Sequence, residues 1–268
     1  MSRYFYLLLL AVLFSSCNEY QKALKSDDIK LQYDVAVKMY EKEKYAKVIT
    51  LAEKLKPVMK GKPSGQKLFF IYAMSMYKQK QYYNAGYEFS SFVSSYPKSD
   101  MVEEAAFLSA KCYYMLSPVY SKDQNETYRA VDALQAFIDR YPESQYMDEA
   151  NQLAKEMREK LEKKAFEIAK QYHTTADFFG DYTAAIKTFD NFLIDFPGTK
   201  LKEDALFYKF DSSYRFAINS IASKMEERLL DAKANYKALL KYRPDTKYKQ
   251  EADEMYAKIE TELQKFSK

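Results

Sequence analysis

Tryptophan is absent, histidine occurs once, and the 268 residues hold only two cysteines, five glycines and seven prolines. With His173 as the sole imidazole, no histidine cluster can bind a metal, and any Ser-His-Asp relay would have to pass through that residue. So few glycines, and the want of alternating apolar and polar residues, argue against strands joined by tight turns and for long helices. The stretch Gly61-Lys62-Pro63-Ser64-Gly65 lacks the preceding strand and the spacing of a phosphate loop. Charge of one sign is missing as well: 42 basic residues face 38 acidic ones, spread along the chain, so no basic footprint for nucleic acid exists. Solvated helix faces account for Lys and Glu at spacings of three and four. Neither a catalytic constellation nor a metal site emerges, and the chain reads as a protein that is not an enzyme.

What is present begins at the amino terminus. Arg3 precedes an unbroken apolar run from Tyr4 to Phe14, and Ser15-Ser16-Cys17 follows. Spanning a bilayer takes about 20 apolar residues, so this run is too short to do so. It reads as a signal peptide over residues 1–16, ending in small residues before a cysteine. A cysteine so placed takes lipid on its thiol, and further acylation of the new amino terminus gives the two or more chains that stable anchoring needs. Cys17 is therefore the expected lipidation site, and covalent lipid is the only non-protein group expected; no other cofactor is. Cys112 sits among Phe107, Leu108, Tyr113 and Met115 and reads as a small buried hydrophobe.

The prolines disclose an internal repeat. Tyr96-Pro97-Lys98-Ser99, Tyr141-Pro142-Glu143-Ser144, Phe196-Pro197-Gly198-Thr199 and Arg243-Pro244-Asp245-Thr246 each place a hydroxyl residue two after the proline. Eight residues after each proline stands an alanine, Ala105, Ala150, Ala205 and Ala252, preceded by an acid. Proline ends one helix, because it cannot continue the ladder and biases its predecessor away from helical angles. The hydroxyl is expected to cap the next helix, acids suit the positive end of its dipole, and the alanine allows close approach to a neighbour.

Upstream, Tyr82, Ala85, Phe89, Phe92 and Tyr96 recur as Tyr182, Ala185, Phe189, Phe192 and Phe196. Ala130, Leu134, Phe137 and Tyr141 form a third copy, and Tyr45, Val48, Ala52, Leu55 and Met59 a weaker one. Steps of three and four place each set on one stripe, which core packing explains. A second pattern, Ala36-x-x-Met39-Tyr40, Ala73-x-x-Met76-Tyr77, Ala110-x-x-Tyr113-Tyr114 and Ala169-x-x-Tyr172-His173, marks the partner helix of each pair.

The pattern resembles the tetratricopeptide repeat, whose unit is 34 residues. Here the proline intervals are 45, 55 and 47, so loops or turns are inserted. Ser117 to Glu126 is one polar insertion, and a charge-rich helix over Asp148 to Lys164, bridging two sub-arrays, fills the long interval. The expectation is an all-α superhelical solenoid of about five tetratricopeptide-type helix pairs, near residues 20–60, 65–96, 100–141, 146–197 and 201–243, with a C-terminal capping helix at 247–266. Residues 17–145 would form an N-terminal sub-array of three pairs, and 146–268 a C-terminal sub-array of two pairs and the cap.

Such arrays line a concave face with the first helix of each pair. In this register Tyr33, Val37, Tyr40, Phe70, Met74, Tyr77, Lys78, Phe107, Lys111 and Tyr114 are the candidates for a peptide groove. Rigid rings with interspersed lysines suit an extended peptide that has aromatic side chains and a free carboxylate.

The lipoprotein signal, Asn18-Glu19-Tyr20-Gln21-Lys22 after the cysteine, the Leu116-Ser117-Pro118-Val119-Tyr120-Ser121 loop and the Tyr-Pro-x-Ser repeats together resemble the BamD family. That family supplies the lipoprotein subunit of the machinery that folds β-barrels into the bacterial outer membrane. The resemblance implies a lipid-anchored scaffold on the periplasmic face of the outer membrane. Its N-terminal repeats would meet unfolded outer-membrane proteins, and its C-terminal repeats would dock the POTRA domains of a BamA-type barrel protein. Two other readings share the repeat: a periplasmic scaffold of the envelope and division machinery, and a SusD-like glycan-capture lipoprotein, against which the missing tryptophan weighs.

Overall fold

The computed structural model describes residues 19–266. The signal segment over residues 1–16 and the lipidation site Cys17 lie outside the described residues. Residues 19–25 are helical, and eleven α-helices follow among the described residues, with a short 3-10 turn at Pro63–Gly65. They are α1 Ile29–Glu41, α2 Tyr45–Met59, α3 Gln66–Lys78, α4 Tyr82–Ser95, α5 Val102–Leu116, α6 Asn125–Arg140, α7 Met147–Phe179, α8 Thr183–Asp195, α9 Lys202–Ile218, α10 Ala222–Tyr242 and α11 Lys249–Leu263. No strand occurs among the described residues, and the architecture is all-α, built of hairpins like those of tetratricopeptide repeats. The chain divides into two compact units between Arg158 and Glu159. That point lies inside α7, so Asp148 to Lys164 is no separate segment but the first half of one helix. Its length follows from the sequence, which holds no proline or glycine until Gly180 ends the helix at φ +70°.

In the first unit α1 packs on α2, α3 on α4 and α5 on α6, while α2 also meets α3 and α4 also meets α5. The hairpin turns α1–α2 and α3–α4 share one geometry. Glu43 and Lys80 take left-handed angles, φ 56° and 61°. The next amides, of Lys44 and Gln81, close on Met39 and Met76 carbonyls at 2.9 Å. The longer α5–α6 connection is organised by Gln124, whose buried side-chain amide donates to the carbonyls of Val119 and Lys122 at 2.9 Å.

The aromatic stripes form the core. Phe89, Phe92, Leu134 and Phe137 are buried in the first unit, and Phe189 and Phe192 occupy the same stations in the second. A ring from the first helix of each pair wedges against them. Phe70 meets Phe89 and Phe92 at 5.9 and 5.7 Å, and Phe166 meets Phe189 and Phe192 at 6.1 and 5.6 Å. Edge-to-face rings at these distances add about 0.5–1.5 kcal/mol per pair beyond the area they bury. The alanines Ala105, Ala150, Ala205 and Ala252 are all buried at helix contacts. At Gly86 the approach is closer still, since an added Cβ would lie 3.1 Å from Cys112 Cβ.

The proline-linked hydroxyls depart from the expectation. Ser99, Ser144, Thr199 and Thr246 accept the amides of Met101, Tyr146, Leu201 and Tyr248, residues that still precede the helices. They order the turn ahead of the helix rather than cap it, and Met101, Leu201 and Tyr248 make no side-chain cap bond. In the second unit the hydroxyl also reaches back to a carboxylate on the preceding first helix. Thr199 donates to Glu162, and Thr246 donates to Glu203 at 2.6 Å.

Glu203 also accepts the Lys247 amide at 2.9 Å and pairs with Arg243 at 2.6 Å. The Thr246 bond above all, with those two, holds its carboxyl down at about 2 against the partial opposition of burial. A carboxylate so lowered stabilises the fold above its ordinary value of 4.5, and that contribution disappears as pH falls from there toward 2. Glu203→Ala is expected to cost about 2–3 kcal/mol at neutral pH, the scale of charge-assisted bonds lost from a buried site. Urea titrations at pH 7 and pH 3 check this: the gap between variant and parent narrows in acid.

Candidate functional site

In the first unit the first helices α1, α3 and α5, with the opening of α7, bring a set of tyrosines and carboxylates together. Lys111 of α5 pairs with Glu149 of α7 at 2.6 Å, and the Tyr114 hydroxyl donates to Glu156 at 2.8 Å. Phe107 stacks on Tyr146 with centroids 4.8 Å apart, and the Lys111 ammonium stands 5.4 Å over the same Phe107 ring. Burial, then Tyr45 and Glu104, raise the Tyr40 phenol above its usual range. Burial also raises Tyr77, against an opposing pull from Lys111. The bond to Glu156 is the main reason that Tyr114 is raised, and burial followed by Glu104 raises Tyr146. All four phenols therefore remain protonated across the physiological range. They present neutral hydroxyls on rigid rings, with that of Tyr114 already donating to Glu156.

Among the ten residues proposed for a groove, burial divides the set. Tyr33, Val37, Tyr40, Tyr77, Lys111 and Tyr114 are partly exposed, and Lys78 is exposed at the end of α3. Phe70, Met74 and Phe107 lie in the core, Phe107 at 2% exposure. Phe70 and Phe107 each stand three residues before the buried alanine of their helix, at the station that Phe166 fills in the second unit, and so belong to the hairpin wedge. Tyr40 and Tyr77 instead stand four after that alanine and meet the first ring of the next helix, Tyr45 at 6.0 Å and Tyr82 at 5.4 Å. Tyr146 and Glu156 escaped the sequence reading, and Glu104 and Glu149 entered it only as the acids before the repeat alanines, not as site residues. The spacing of Glu149 and Glu156, seven residues apart on one face of α7, was the available signal. Lys111 is also less free than the expectation of carboxylate capture requires, because Glu149 already neutralises it.

His173 marks the corresponding station in the second unit and sits in a buried polar network. Its Nε2 lies 3.3 Å from Asp211 and its Nδ1 2.9 Å from Ser212 Oγ. Asp211 accepts from Arg215 at 2.8 Å, and Arg215 reaches Asp177 at 3.2 Å. A serine, a histidine and an aspartate are thus in contact, but the chemistry of a nucleophile is blocked. Ser212 is 0% exposed, and its hydroxyl donates to the Tyr208 carbonyl at 2.7 Å. The hydroxyl is thus shut away from solvent and its O–H is already committed to a carbonyl.

Cys112 is buried, and burial pushes its thiol up to about 12, far from a reactive thiolate. Among the described residues no group of three His, Cys, Asp or Glu side chains could hold a metal ion. No helix among them is long and apolar enough to cross a membrane.

Residues 25–229 match the family model of YfiO, described as an outer membrane lipoprotein. A protein of Aquifex aeolicus (strain VF5), whose description names the outer membrane protein assembly factor BamD, is 32% identical over 206 residues. That match covers 76% of this chain and 66% of the relative, so about a third of the relative's length has no counterpart in it. Among solved structures, the TPR2AB domain of yeast Sti1 in complex with an HSP90 peptide is similar over 87% of this chain and 98% of that chain. The TM-score is 0.40, at 13% identity.

Proposed function

The chain belongs to the YfiO/BamD family of outer-membrane lipoproteins, and from that premise we propose that it is a non-catalytic scaffold of the β-barrel assembly machinery. Lipid on Cys17 tethers it to the periplasmic face of the outer membrane. The tyrosine face of the first unit takes extended segments of unfolded outer-membrane proteins. Repeats of the second unit dock the POTRA domains of a BamA-type barrel protein. The observation that carries the substrate reading is the gathering of Tyr40, Tyr77, Tyr114 and Tyr146 beside Glu104, Glu149 and Glu156. Rings of this kind contribute contact area at a low cost in side-chain entropy. Their hydroxyls bond to the backbone of any extended chain, and the sequence tolerance this gives suits a scaffold that receives many substrates. Because Lys111 is neutralised by Glu149, aromatic and backbone groups of the guest matter more than a terminal carboxylate.

Cys17→Ala tests the tether. A folded helical protein should move from the outer-membrane fraction into the soluble periplasm; a variant that stays membrane-bound overturns the anchor. Photo-crosslinkers at Tyr77 and Tyr114 test the substrate face: labelled unfolded barrel protein should be captured there, and far less by a probe at Tyr128 on the outer face of α6. Co-purification of division or peptidoglycan factors in place of a BamA-type protein would overturn the proposed assembly.

A further inference from the structure

The second unit carries a cleft of about 590 Å³ that the proposed function does not use. Two second helices, α8 and α10, form its walls, and α9 forms its floor. Ile186, Lys187 and Asp190 come from α8, and Lys224, Arg228 and Asp231 from α10. Steps of three and four residues put each set on one stripe of its helix, so the cleft is a seam between helical ridges of the kind another helix fills. Its size lies in the range of occupied binding sites, about 300–1,000 Å³.

The charges of the seam are unevenly satisfied. Lys209 holds Asp190 at 2.6 Å, and Lys224 stands 3.3 Å from Glu227. Arg228 has no carboxylate at ion-pair distance among the described residues. Its guanidinium lies 3.7 Å over the Phe216 ring, and Nη1 donates to Ser220 Oγ at 2.7 Å. Ser220 in turn donates to the Phe216 carbonyl at 2.6 Å. The stack and the hydrogen bond fix the guanidinium in place and leave its remaining N–H groups available, an arrangement suited to receiving a carboxylate. Asp181, whose carboxyl Thr183 holds down, is the acid that feels Arg228 from further off. Lys187, exposed on the opposite wall, likewise makes no ion pair among the described residues. Asp231, three residues beyond Arg228 and without an ion pair among the described residues, makes a uniform polyanion a poor guest. A helix with apolar residues on one side and a carboxylate placed once per turn fits better.

We propose that this cleft seats a short amphipathic helix of a partner protein, apolar toward Ile186 and Phe216 and carrying a carboxylate opposite Arg228. The inference holds whichever machine the chain serves, because it rests on the seam and not on the anchor or the tyrosine face.

Fluorescence anisotropy of the full chain in detergent tests it. The probe is a labelled helical peptide of about 12 residues of Leu, Ala and Glu, the span of the α10 stripe at 1.5 Å per residue. Its control carries Lys at every Glu. The acidic helix should bind, with amide exchange slowed in α8 and α10, and the basic control should not. Arg228→Gln should weaken binding about tenfold, the scale of one lost charge-assisted pair. Lys187→Glu, at an exposed site that leaves the fold alone, should weaken it several-fold. Equal binding of the basic helix, or no loss in both variants, overturns the proposal. Complete displacement of the peptide by millimolar inorganic phosphate would reduce the cleft to a simple anion site and overturn it as well.

Discussion

Phe89→Ala and Phe189→Ala each lower the stability of the unit that holds them by about 3–5 kcal/mol, the usual cost of truncating a buried phenylalanine. Both rings are 0% exposed and meet a wedge ring from the first helix of their pair, Phe70 or Phe166. Neither site can collapse to fill the hole, because helices on both sides are held at their own crossings by alanine, and near Phe89 by Gly86 as well. Urea unfolding followed by helical circular dichroism reads the effect as a fall in the midpoint. Tyr87→Ala provides the contrast two residues away on α4. That ring is 67% exposed, and its loss should fall within about 0.5 kcal/mol of zero. Comparable losses from Tyr87 and Phe89 would mean that the stripe does not face the core.

Asp211→Ala is the second large effect, about 3–5 kcal/mol, because it strips the buried His173 and the half-buried Arg215 of hydrogen bonds to a buried carboxylate. His173 loses its acceptor at 3.3 Å and Arg215 its pair at 2.8 Å. Burial alone would push the Asp211 carboxyl up; the hydrogen bonds from His173 and Arg215, with their charges, outweigh it and keep the group below its ordinary value. The stabilisation is therefore present above the ordinary carboxylate pKa and is lost as pH falls through the lowered one. Parent and variant should converge in acid, measured by thermal melting between pH 7 and pH 3. Asp177→Ala, at the half-exposed end of the same network, should cost no more than about 1 kcal/mol. A loss from Asp177 as large as that from Asp211 would place the energy in the exposed pair and refute this assignment.

Much of the fold could be read from residue spacing alone. Aromatic stripes at steps of three and four, prolines at helix ends and alanines eight residues later are local signals, and they match buried or half-buried rings, helix stops and close helix contacts. Other elements left no such trace. The hairpin turns rest on left-handed Glu43 and Lys80, residue types that carry no turn signal, because closure onto the Met39 and Met76 carbonyls compensates for the unfavourable angle. The proline-linked hydroxyls are regular in sequence, yet their partners are amides ahead of the helix, a distinction of one or two residues that no propensity resolves.

The candidate site was harder to foresee for a related reason. Periodicity tells which residues share a stripe of a helix; it does not tell whether the stripe faces a neighbouring helix or the open side. Phe70 and Phe107 carry the same kind of ring as Tyr40 and Tyr77 but stand seven residues earlier in the register, where the hairpin closes over them. Glu149 and Glu156 meet Lys111 and Tyr114 only because α5 and α7 are brought side by side across an intervening helix.

By itself the chain's order of residues determined helices, their ends and their repetition, since those follow from backbone sterics and from apolar spacing within a few turns. It also supplied the expectation of a lipoprotein signal at the amino terminus, a short apolar run before a cysteine. Tertiary structure alone decided which rings are core and which are surface, that Lys111 is paired with Glu149, that Ser212 is buried with its hydroxyl committed to a carbonyl, and that Arg228 stacks on Phe216 with no carboxylate at ion-pair distance among the described residues. Those outcomes depend on contacts between different helices, or on exposure, and such quantities exist only after the helices have packed.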